Sequence, residues 1–324
     1  MTGRRTIHVR DEFSPLRSVV LARSEMAVPA SAHDDPDMRF LPGGGGALGF
    51  VGDMREGDPE RQAAWEAERE AFAEVLRRHG VEVLRPRLLT AAEKAAAGDL
   101  GYANFFARDP FFTIGRHVIE GSLRFRHRRS EILPIRPVLI QEVLPSDAAY
   151  VAVPVPEIAA EDDPTLGPGP FLEGGDVLVL GDHVFVGSSG LASNELGAAW
   201  LRQYLAPHGC TVELVRLDPV ILHLDCALGL VRDGLMIVCE EALLDGIPEA
   251  LQGWDRIDVS LQDAQRLATN GLPLGPDVYV TDPEFSAIGE QLQTRGITVE
   301  YVDFAVTRSL GGAFRCSTQP LHRA

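Results

Sequence analysis

The stretch Glu173-Gly-Gly-Asp-Val-Leu-Val-Leu-Gly-Asp-His-Val-Phe-Val186 contains two β-rich runs on either side of the turn residues Gly181-Asp182. Short apolar runs that flank a Gly-Asp pair predict a β-hairpin. A helical pattern follows, which opens at Ser193-Asn194-Glu195 and ends at about Leu205, before Pro207. A hairpin followed by a helix is therefore the unit that builds this region.

The same kinds of element recur along the chain. Further hairpins are predicted over 111–119 and 227–238, and single strands over 18–22, 81–84, 278–281 and 297–301. Helices are predicted over 59–78 and 283–295, and shorter ones over 240–251 and 261–267. Repetition of one hairpin, helix and strand unit indicates a stacked or closed α/β array. We expect one domain over residues 1–324.

Composition excludes several classes of function. The net charge of −17 argues against nucleic acid and anionic membranes as partners. No apolar run is long enough for a transmembrane helix, and the first ten residues lack the apolar region of a signal peptide, so a cytoplasmic location is expected. The four cysteines, at 210, 226, 239 and 316, show no CxxC spacing, which disfavours a zinc ribbon or a disulfide framework.

Two loops stand out between the predicted elements. The segment 27–57 contains four consecutive glycines at 43–46, and the segment 157–170 is rich in Pro, Asp and Gly. Loops of this length in a compact domain are often lids or binding elements, and the first is predicted to be polar and flexible. The tetraglycine lacks the Gly-Lys-Ser/Thr of a phosphate loop, and no GxGxxG follows a strand, so no nucleotide cofactor is expected.

The side chains that carry chemistry lie far apart in sequence. Cys316 follows the pair Gly311-Gly312 near the C-terminus, His223 and Asp225 form a His-Leu-Asp segment, and Glu173 opens Glu-Gly-Gly-Asp. A cysteine, a histidine and a carboxylate are the types needed for a nucleophile, a general acid/base and an orienting group. Asp109, in Phe-Ala-Arg-Asp-Pro, adds a carboxylate to an apolar stretch.

Taken together, these segments resemble the guanidine-group-modifying superfamily, which comprises arginine deiminases, dimethylargininases and amidinotransferases. The resemblance covers nearly the whole chain, from Glu12 to Cys316. It implies a five-bladed α/β propeller, the pentein fold, whose hairpin-helix-strand units surround a central substrate channel. It also implies a set of roles: Cys316 as nucleophile, His223 as general acid/base, Glu173 as the group that orients the histidine, Asp109 and Asp225 as the carboxylates that grip the guanidinium, and Arg128 as the group that binds a substrate carboxylate.

The implied chemistry begins with attack of the Cys316 thiolate on the guanidinium carbon, while His223 protonates the departing nitrogen. Water then gives hydrolysis of the covalent amidino-cysteine, and an amine gives amidino transfer. Glu173-Gly-Gly-Asp176 resembles the hydrolytic branch, whereas the segments 193–201 and 309–316 resemble amidinotransferases. Hydrolysis of arginine or an arginine-like compound is favoured narrowly. Transfer of the amidino group from arginine to an amine is the alternative, and a non-catalytic guanidine-binding pseudoenzyme is the second alternative.

Departures from the deiminases bear on the substrate. Their second carboxylate-binding arginine would fall near Leu191 or Ala192, and the arginine that they carry just before the glycine pair is replaced by Leu310. Recognition of free arginine as in a deiminase is therefore in doubt. A different guanidino compound, or a different way of holding arginine, fits this sequence better.

Several residues keep two interpretations at this stage. Asp176 either caps the turn after the glycines or contacts substrate. Arg128 either binds substrate or belongs to a solvated cationic face over 124–129. Asn104 and Asn270 lie near the site in the resemblance but could equally cap turns. Neither a metal nor a cofactor is expected, because a thiol nucleophile needs no metal-activated water. The expected partner is a small guanidino substrate, and homo-oligomerisation is left open.

Overall fold

The computed structural model describes residues 5–154 and 167–324. It has 18 strands: β1 Leu16–Leu21, β2 Glu25–Val28, β3 Gly52–Asp53, β4 Glu82–Leu84, β5 Tyr102–Asn104, β6 Phe111–Ile114, β7 His117–Glu120, β8 Ala149–Ala152, β9 Val177–Leu180, β10 His183–Ser188, β11 Thr211–Arg216, β12 Leu228–Arg232, β13 Leu235–Val238, β14 Asp255–Asp258, β15 Leu272–Gly275, β16 Val278–Thr281, β17 Thr298–Tyr301 and β18 Thr318–Arg323. The α-helices are α1 Met54–Gly57, α2 Pro59–Arg78, α3 Ala91–Ala97, α4 Arg136–Val143, α5 Glu195–Leu205, α6 Leu261–Gln265, α7 Ser286–Thr294 and α8 Ala305–Ser309.

The strands form three-stranded sheets, five of which share one pairing scheme. In each of the five, an antiparallel pair is extended by a third strand that runs parallel to the middle one. In the sheet β9-β10-β11, Val186 pairs with Val177 and His183 pairs with Thr211, and α5 lies between the second and third strands in sequence. The predicted hairpin-helix-strand unit is thus present, and the α/β class is confirmed.

The two ends of the chain share one of these five sheets. Strand β18 pairs antiparallel with β1, where Val19 lies opposite Pro320 and Leu21 opposite Thr318, and β4 runs parallel to β1 on its other side. The last strand is therefore fixed in the first unit, and Cys316 is held two residues before it. The described strands pair into separate sheets with no closed sheet among them, so the five-bladed propeller stays a prediction.

The remaining sheet, β3-β2-β5, brings together parts of the segment 27–57 and its neighbours. This segment also contains three 3₁₀ helices, over Ala30–Asp34, Pro36–Phe40 and Gly45–Leu48. The prediction of a polar loop is wrong here, because Met38, Leu41 and Leu48 are buried in an apolar cluster that includes Cys316. The segment 157–166 lies outside the described residues.

Helix boundaries follow local signals closely. Helix α2 spans the predicted range, and α5 begins after Asn194, whose side chain accepts the N–H of Gly197 at 3.0 Å. The predicted helix over 240–251 is wrong: this region holds two 3₁₀ turns, separated by Gly246 with φ of 76° and by Pro248. No helix of the described residues is long and apolar enough to cross a membrane.

Candidate active site

The fold brings one loop from each of the five similar units to a common centre. Each loop precedes the first strand of its unit, and the five loops contribute Asp109 before β6, Glu173 to Asp176 before β9, His223 and Asp225 before β12, Asn270 before β15, and Cys316 before β18. All of these side chains are buried. The sequence motifs that are far apart in the chain are therefore equivalent positions of a repeated unit.

His223 lies between two carboxylates. Its Nε2 is 2.9 Å from Glu173 Oε2, and its Nδ1 is 3.8 Å from Asp109 Oδ1. Burial by itself would lower the pKa of His223, but Asp109, the hydrogen bond to Glu173 and the charge of Asp176 outweigh it and hold this pKa well above its ordinary value of 6.5. The ring is therefore an imidazolium near neutral pH, with Nδ1 turned away from Glu173.

Arg128 is buried among carboxylates. It donates to Asp109 Oδ2 at 2.7 Å, to Glu131 at 2.7 and 2.9 Å, and to Glu173 Oε2 at 3.3 Å. The solvated cationic face is thus wrong for this residue. The arrangement also differs from the role implied by the resemblance, because all three guanidinium nitrogens already donate to protein carboxylates.

Asp225 has a matching partner in Arg315, which directly precedes the cysteine. Arg315 donates from Nη1 to Asp225 Oδ2 at 2.8 Å and lies 3.0 Å from Glu12 Oε2. Burial opposes the charge of Arg315, yet Glu12 and Asp225 raise its pKa above the ordinary value. Asp109 and Asp225 therefore each have one oxygen bound to a buried protein guanidinium.

Cys316 is positioned through its own backbone. Asn270 Oδ1 accepts the N–H groups of Ala313 and Cys316, both at 3.1 Å, and Asn270 Nδ2 donates to the carbonyl of Asp225 at 3.3 Å. The Cys316 Sγ lies 3.8 and 4.0 Å from the two carboxylate oxygens of Asp225. One amide side chain thus fixes the cysteine loop against the histidine loop.

Asp176 and Asn104 have structural partners. Asp176 accepts the N–H of Ser193 at 3.1 Å and that of Leu224 at 3.0 Å, so it ties the glutamate loop to the histidine loop. Burial raises the pKa of Asp176 to about 7. It does not line the cavity described below, and its predicted contact with substrate stays a prediction. Asn104 donates to Glu25 Oε2 at 2.7 Å, away from His223.

Two glycines allow side chains of the candidate site to approach the backbone closely. A Cβ on Gly175 would lie 2.6 Å from Asp109 Oδ1 and 2.7 Å from His223 Nδ1. A Cβ on Gly312 would lie 2.4 Å from the Phe106 ring and 2.8 Å from Cys316 Cβ. Any larger residue would displace these groups, which explains in physical terms why glycines precede both the aspartate and the cysteine.

A cavity of about 60 Å³ opens above these groups, enough for a few water-sized groups. Cys316, His223, Asp109 and Arg128 lie at its base. Apolar side chains form most of the rest, many of them from the segment 26–48. Arg61 holds this segment down, since it donates to the Leu48 carbonyl at 2.6 Å and to Ser309 Oγ at 2.8 Å.

Two sets of side chains could offer three ligands each to a metal ion: Asp225 with Cys226 and Cys316, and Asp109 with Glu173 and His223. The second set already faces the guanidinium of Arg128, which supplies the positive charge that a metal would bring. The first contains the predicted nucleophile. The expectation that no metal is needed stays a prediction.

Sequence reasoning missed part of this site. Arg315, Glu131 and Glu12 complete the buried charge pairs, and the role of Asn270 was left open. A usable signal exists for Asn270, because it lies two residues before the first strand of its unit, as Asp109 and Cys316 do. The charge pairs have no such signal, since arginines and glutamates are frequent along the chain.

Comparison with known proteins gives relatives of two kinds. The model of the eukaryotic N,N dimethylarginine dimethylhydrolase family matches residues 52–323. Inosamine-phosphate amidinotransferase 1 of Streptomyces glaucescens is 28% identical over 287 residues, which cover 80% of each chain. The structure of the Streptomyces griseus inosamine-phosphate amidinotransferase is similar with a TM-score of 0.82, at 24% identity over 99% of this chain and 98% of that one. A dimethylarginine dimethylaminohydrolase from Pseudomonas aeruginosa is similar with a TM-score of 0.65, at 18% identity over 94% and 99%.

Proposed function

Because the chain belongs to the dimethylarginine dimethylhydrolase family, and with it to the guanidine-modifying superfamily, we propose that it is a cysteine-dependent enzyme that takes the amidino group from a guanidino donor and passes it to an amine. The observation that carries the proposal is the convergence of Cys316, His223 and Asp109 at the base of one cavity. That the chain is an enzyme of guanidino groups follows from its family. The covalent intermediate and the direction of the second step are our proposal.

The substrate guanidinium would lie between Asp109 and Asp225. Each carboxylate has one oxygen bound to a protein arginine, Arg128 or Arg315, and this fixes its plane before substrate arrives. The Oδ1 atom of each would accept N–H groups of the planar cation, and that of Asp109 also accepts the N–H of Gly175 at 3.0 Å. Asp225 is also the carboxylate next to Cys316 Sγ, so hydrogen bonds from the guanidinium to Asp225 would place the guanidinium carbon beside the sulfur.

In the first half-reaction, the Cys316 thiolate adds to the guanidinium carbon and forms a tetrahedral adduct. The imidazolium of His223 then gives its Nδ1 proton to the departing nitrogen, the C–N bond breaks and the amine leaves. Glu173 remains bonded to Nε2 and fixes the tautomer throughout. The product is an amidino-thioether on Cys316, with His223 neutral and ready to act as a base.

In the second half-reaction, His223 removes a proton from an incoming amine, which attacks the same carbon and releases the thiolate. Two findings support an amine rather than water. The chain is similar to an amidinotransferase over 80% of both lengths, and apolar groups surround most of the cavity, which disfavours a bound water beside the intermediate. On these two findings we propose transfer, although the sequence motifs favour hydrolysis narrowly.

Hydrolysis remains the second candidate, on a specific observation. The loop before β9 reads Glu173-Gly-Gly-Asp176, and the family model that matches residues 52–323 is that of a hydrolase. We also propose that the five similar sheets close into the five-bladed propeller. Their five site loops meet at one centre, which is the arrangement expected when such units surround a channel.

The test separates the two half-reactions. The protein is incubated with a guanidino donor, and intact mass is followed with and without a primary amine. We expect an amidine-sized gain on the peptide that contains Cys316, and its decay to a new guanidine when the amine is added. Cys316→Ala should show no gain and should lose at least about 10⁴-fold in turnover, whereas Cys239→Ala should load normally.

The outcomes decide between the candidates. Decay of the adduct to urea, at the same rate with and without amine, would favour hydrolysis. Absence of any adduct with every donor, together with tight binding of guanidines, would favour the pseudoenzyme.

A further inference from the structure

Apart from Cys316, His223, Asp109 and Arg128, most of the side chains that line the cavity are apolar. We call these apolar side chains the apolar wall; Met38, Phe40, Leu48, Phe125, Leu222 and Leu310 are members of it. Met38, Leu48 and Leu310 belong to one apolar cluster with Cys316, and Phe125 and Leu222 belong to another. Part of the wall therefore packs directly against Cys316, so a guanidino compound bound at this cysteine has apolar side chains next to it.

The lining residues that the structure describes supply no free cation for a substrate carboxylate. Arg128 is the only arginine or lysine among them, and its nitrogens donate to Asp109, Glu131 and Glu173. Burial, with Arg128 beside it, lowers the pKa of His127 to about 4, so this ring is neutral near pH 7.

The positions at which the sequence comparison with deiminases places an arginine are apolar here. Leu191 and Ala192 pack with Phe125, and Leu310 lies in the wall itself. Arg124 stacks on Phe125, but its Nη1 is 2.7 Å from Asp37 Oδ2. The segment 155–166 contains neither arginine nor lysine in its sequence.

We infer that the preferred guanidino donor carries an uncharged apolar tail, as in an alkylguanidine, and not the amino-acid end of arginine. This inference rests on the proposed function. A carboxylate brought against the apolar wall would lose its hydration without gaining a partner, which is strongly unfavourable, whereas an alkyl chain gains free energy from burial there. The guanidinium end is stabilised by Asp109 and Asp225 in either case, so the tail decides between donors.

An alkylguanidinium can serve as the donor in the first half-reaction. An alkylguanidinium reacts with the Cys316 thiolate, the sulfur–carbon bond forms, and the bond between the carbon and the alkyl-bearing nitrogen breaks. That nitrogen receives the His223 proton and departs as an alkylamine. No oxidant, metal or further reactant is required.

The experiment compares three donors that differ only in the tail: butylguanidine, agmatine and arginine. Loading of Cys316 is followed by intact mass under single-turnover conditions. We expect butylguanidine to load with a second-order rate constant on the order of 100-fold above that of arginine, with agmatine also below butylguanidine because its ammonium meets the same wall. Loading by arginine as fast as by butylguanidine, or faster, overturns the inference while it leaves the proposed function intact.

Two variants, Leu310→Arg and Met38→Lys, each introduce a cation into the apolar wall at a different position. Each variant should raise the loading rate with arginine relative to that with butylguanidine. Two variants are used so that the test still stands if one of them does not fold. Leu196→Arg, on the exposed surface, adds the same charge elsewhere and should leave the ratio unchanged. If Arg124→Ala alone lowers loading by arginine and spares butylguanidine, Arg124 holds the carboxylate and the inference is wrong. If no guanidine modifies Cys316 at all, the proposed function fails first.

Discussion

The two sides of the cavity are held in place by different forces. The charged floor, as we call it, consists of Asp109, Arg128 and His223, which line the cavity, and of their neighbours Glu173, Asp225 and Arg315, which do not line it; each of these is fixed by ion pairs and hydrogen bonds. The apolar wall is fixed by side-chain packing of the segment 26–48 against α2 and the cysteine loop. Charges that must act on one carbon need fixed distances, whereas a hydrocarbon tail needs only a dry surface of suitable size.

This comparison separates the residues that act on the guanidinium from the residues that select the rest of the donor. All floor residues except Arg128 come from loops that precede the first strand of a repeated unit, and the floor would act on any guanidinium. Half of the named wall residues, Met38, Phe40 and Leu48, come from the segment between β2 and β3, which lies outside those five units. Substitutions in the floor should therefore affect every donor equally, and substitutions in the wall should affect donors according to their tails.

Among substitutions that leave Cys316 in place, Glu173→Gln should have the largest effect, because it removes one of the carboxylates that, after Asp109, hold His223 as an imidazolium. We expect a roughly 10³-fold loss of kcat/KM for all donors, since general acid catalysis is worth that order. The alkaline limb of the pH–rate profile should also move to lower pH, because the pKa of His223 should fall when a neutral glutamine side chain replaces the Glu173 carboxylate. A pH–rate profile measured with two donors checks this; an unshifted alkaline limb would rule out His223 as the acid.

The interaction between His223 and Glu173 also predicts how the free energy of unfolding depends on pH. The folded-state pKa of His223 lies above its ordinary 6.5, so its protonation stabilises the fold fully below about pH 6.5 and this contribution is lost as pH rises through the folded-state pKa. The difference in free energy of unfolding between wild type and Glu173→Gln should therefore be largest near pH 6 and shrink toward alkaline pH. Urea titrations at several pH values measure it.

Much of the floor could be predicted from sequence, and little of the wall. Cys316, His223 and Glu173 stand in short motifs whose residue types are dictated by the chemistry, and the structure brings them to one place. Hairpins such as β9-β10 carry local turn signals, so their bounds are nearly right. The wall has no motif, because Met38 and Leu48 become partners of Cys316 only through the three-dimensional packing of a glycine-rich segment.

Asp225→Asn tests whether the floor is built on charge pairs. Arg315 is buried and would keep only Glu12 as a charged partner, so the free energy of unfolding should fall by about 3–5 kcal/mol, as expected when a buried pair loses one member. Loading of Cys316 should also fall for every donor. The triple variant Asp225→Asn, Arg315→Met and Glu12→Gln removes all three charges of the cluster. It should recover stability without recovering activity, and recovery of activity would show that Asp225 serves only to neutralise Arg315.

Gly175→Ala tests the close approach on which the floor depends. The new Cβ would lie 2.7 Å from His223 Nδ1, so the ring must shift by a few tenths of an ångström or more. We expect roughly a 100-fold loss of kcat with the fold retained, since displacements of about 1 Å have that effect on catalysis. Gly253→Ala is the matched control and should be neutral, because Gly253 is exposed and a Cβ there would have no atom within 4 Å. Equal activity of the two variants would mean that His223 needs no such close fit.

Leu48→Ala should have the smallest effect and the most selective one. The residue lies in the wall and is held over the cavity by the bond from Arg61 to its carbonyl, which the substitution leaves in place. Truncation removes contact with a donor tail but touches none of the charged groups. We therefore expect roughly tenfold slower loading with butylguanidine and no change with methylguanidine, whose tail is too short to reach the wall. Loading is measured for both donors in the same single-turnover assay. If both slow down equally, the wall supports the floor through packing and does not select the tail; if only butylguanidine slows down, chemistry and specificity are separate in this enzyme and can be altered one at a time.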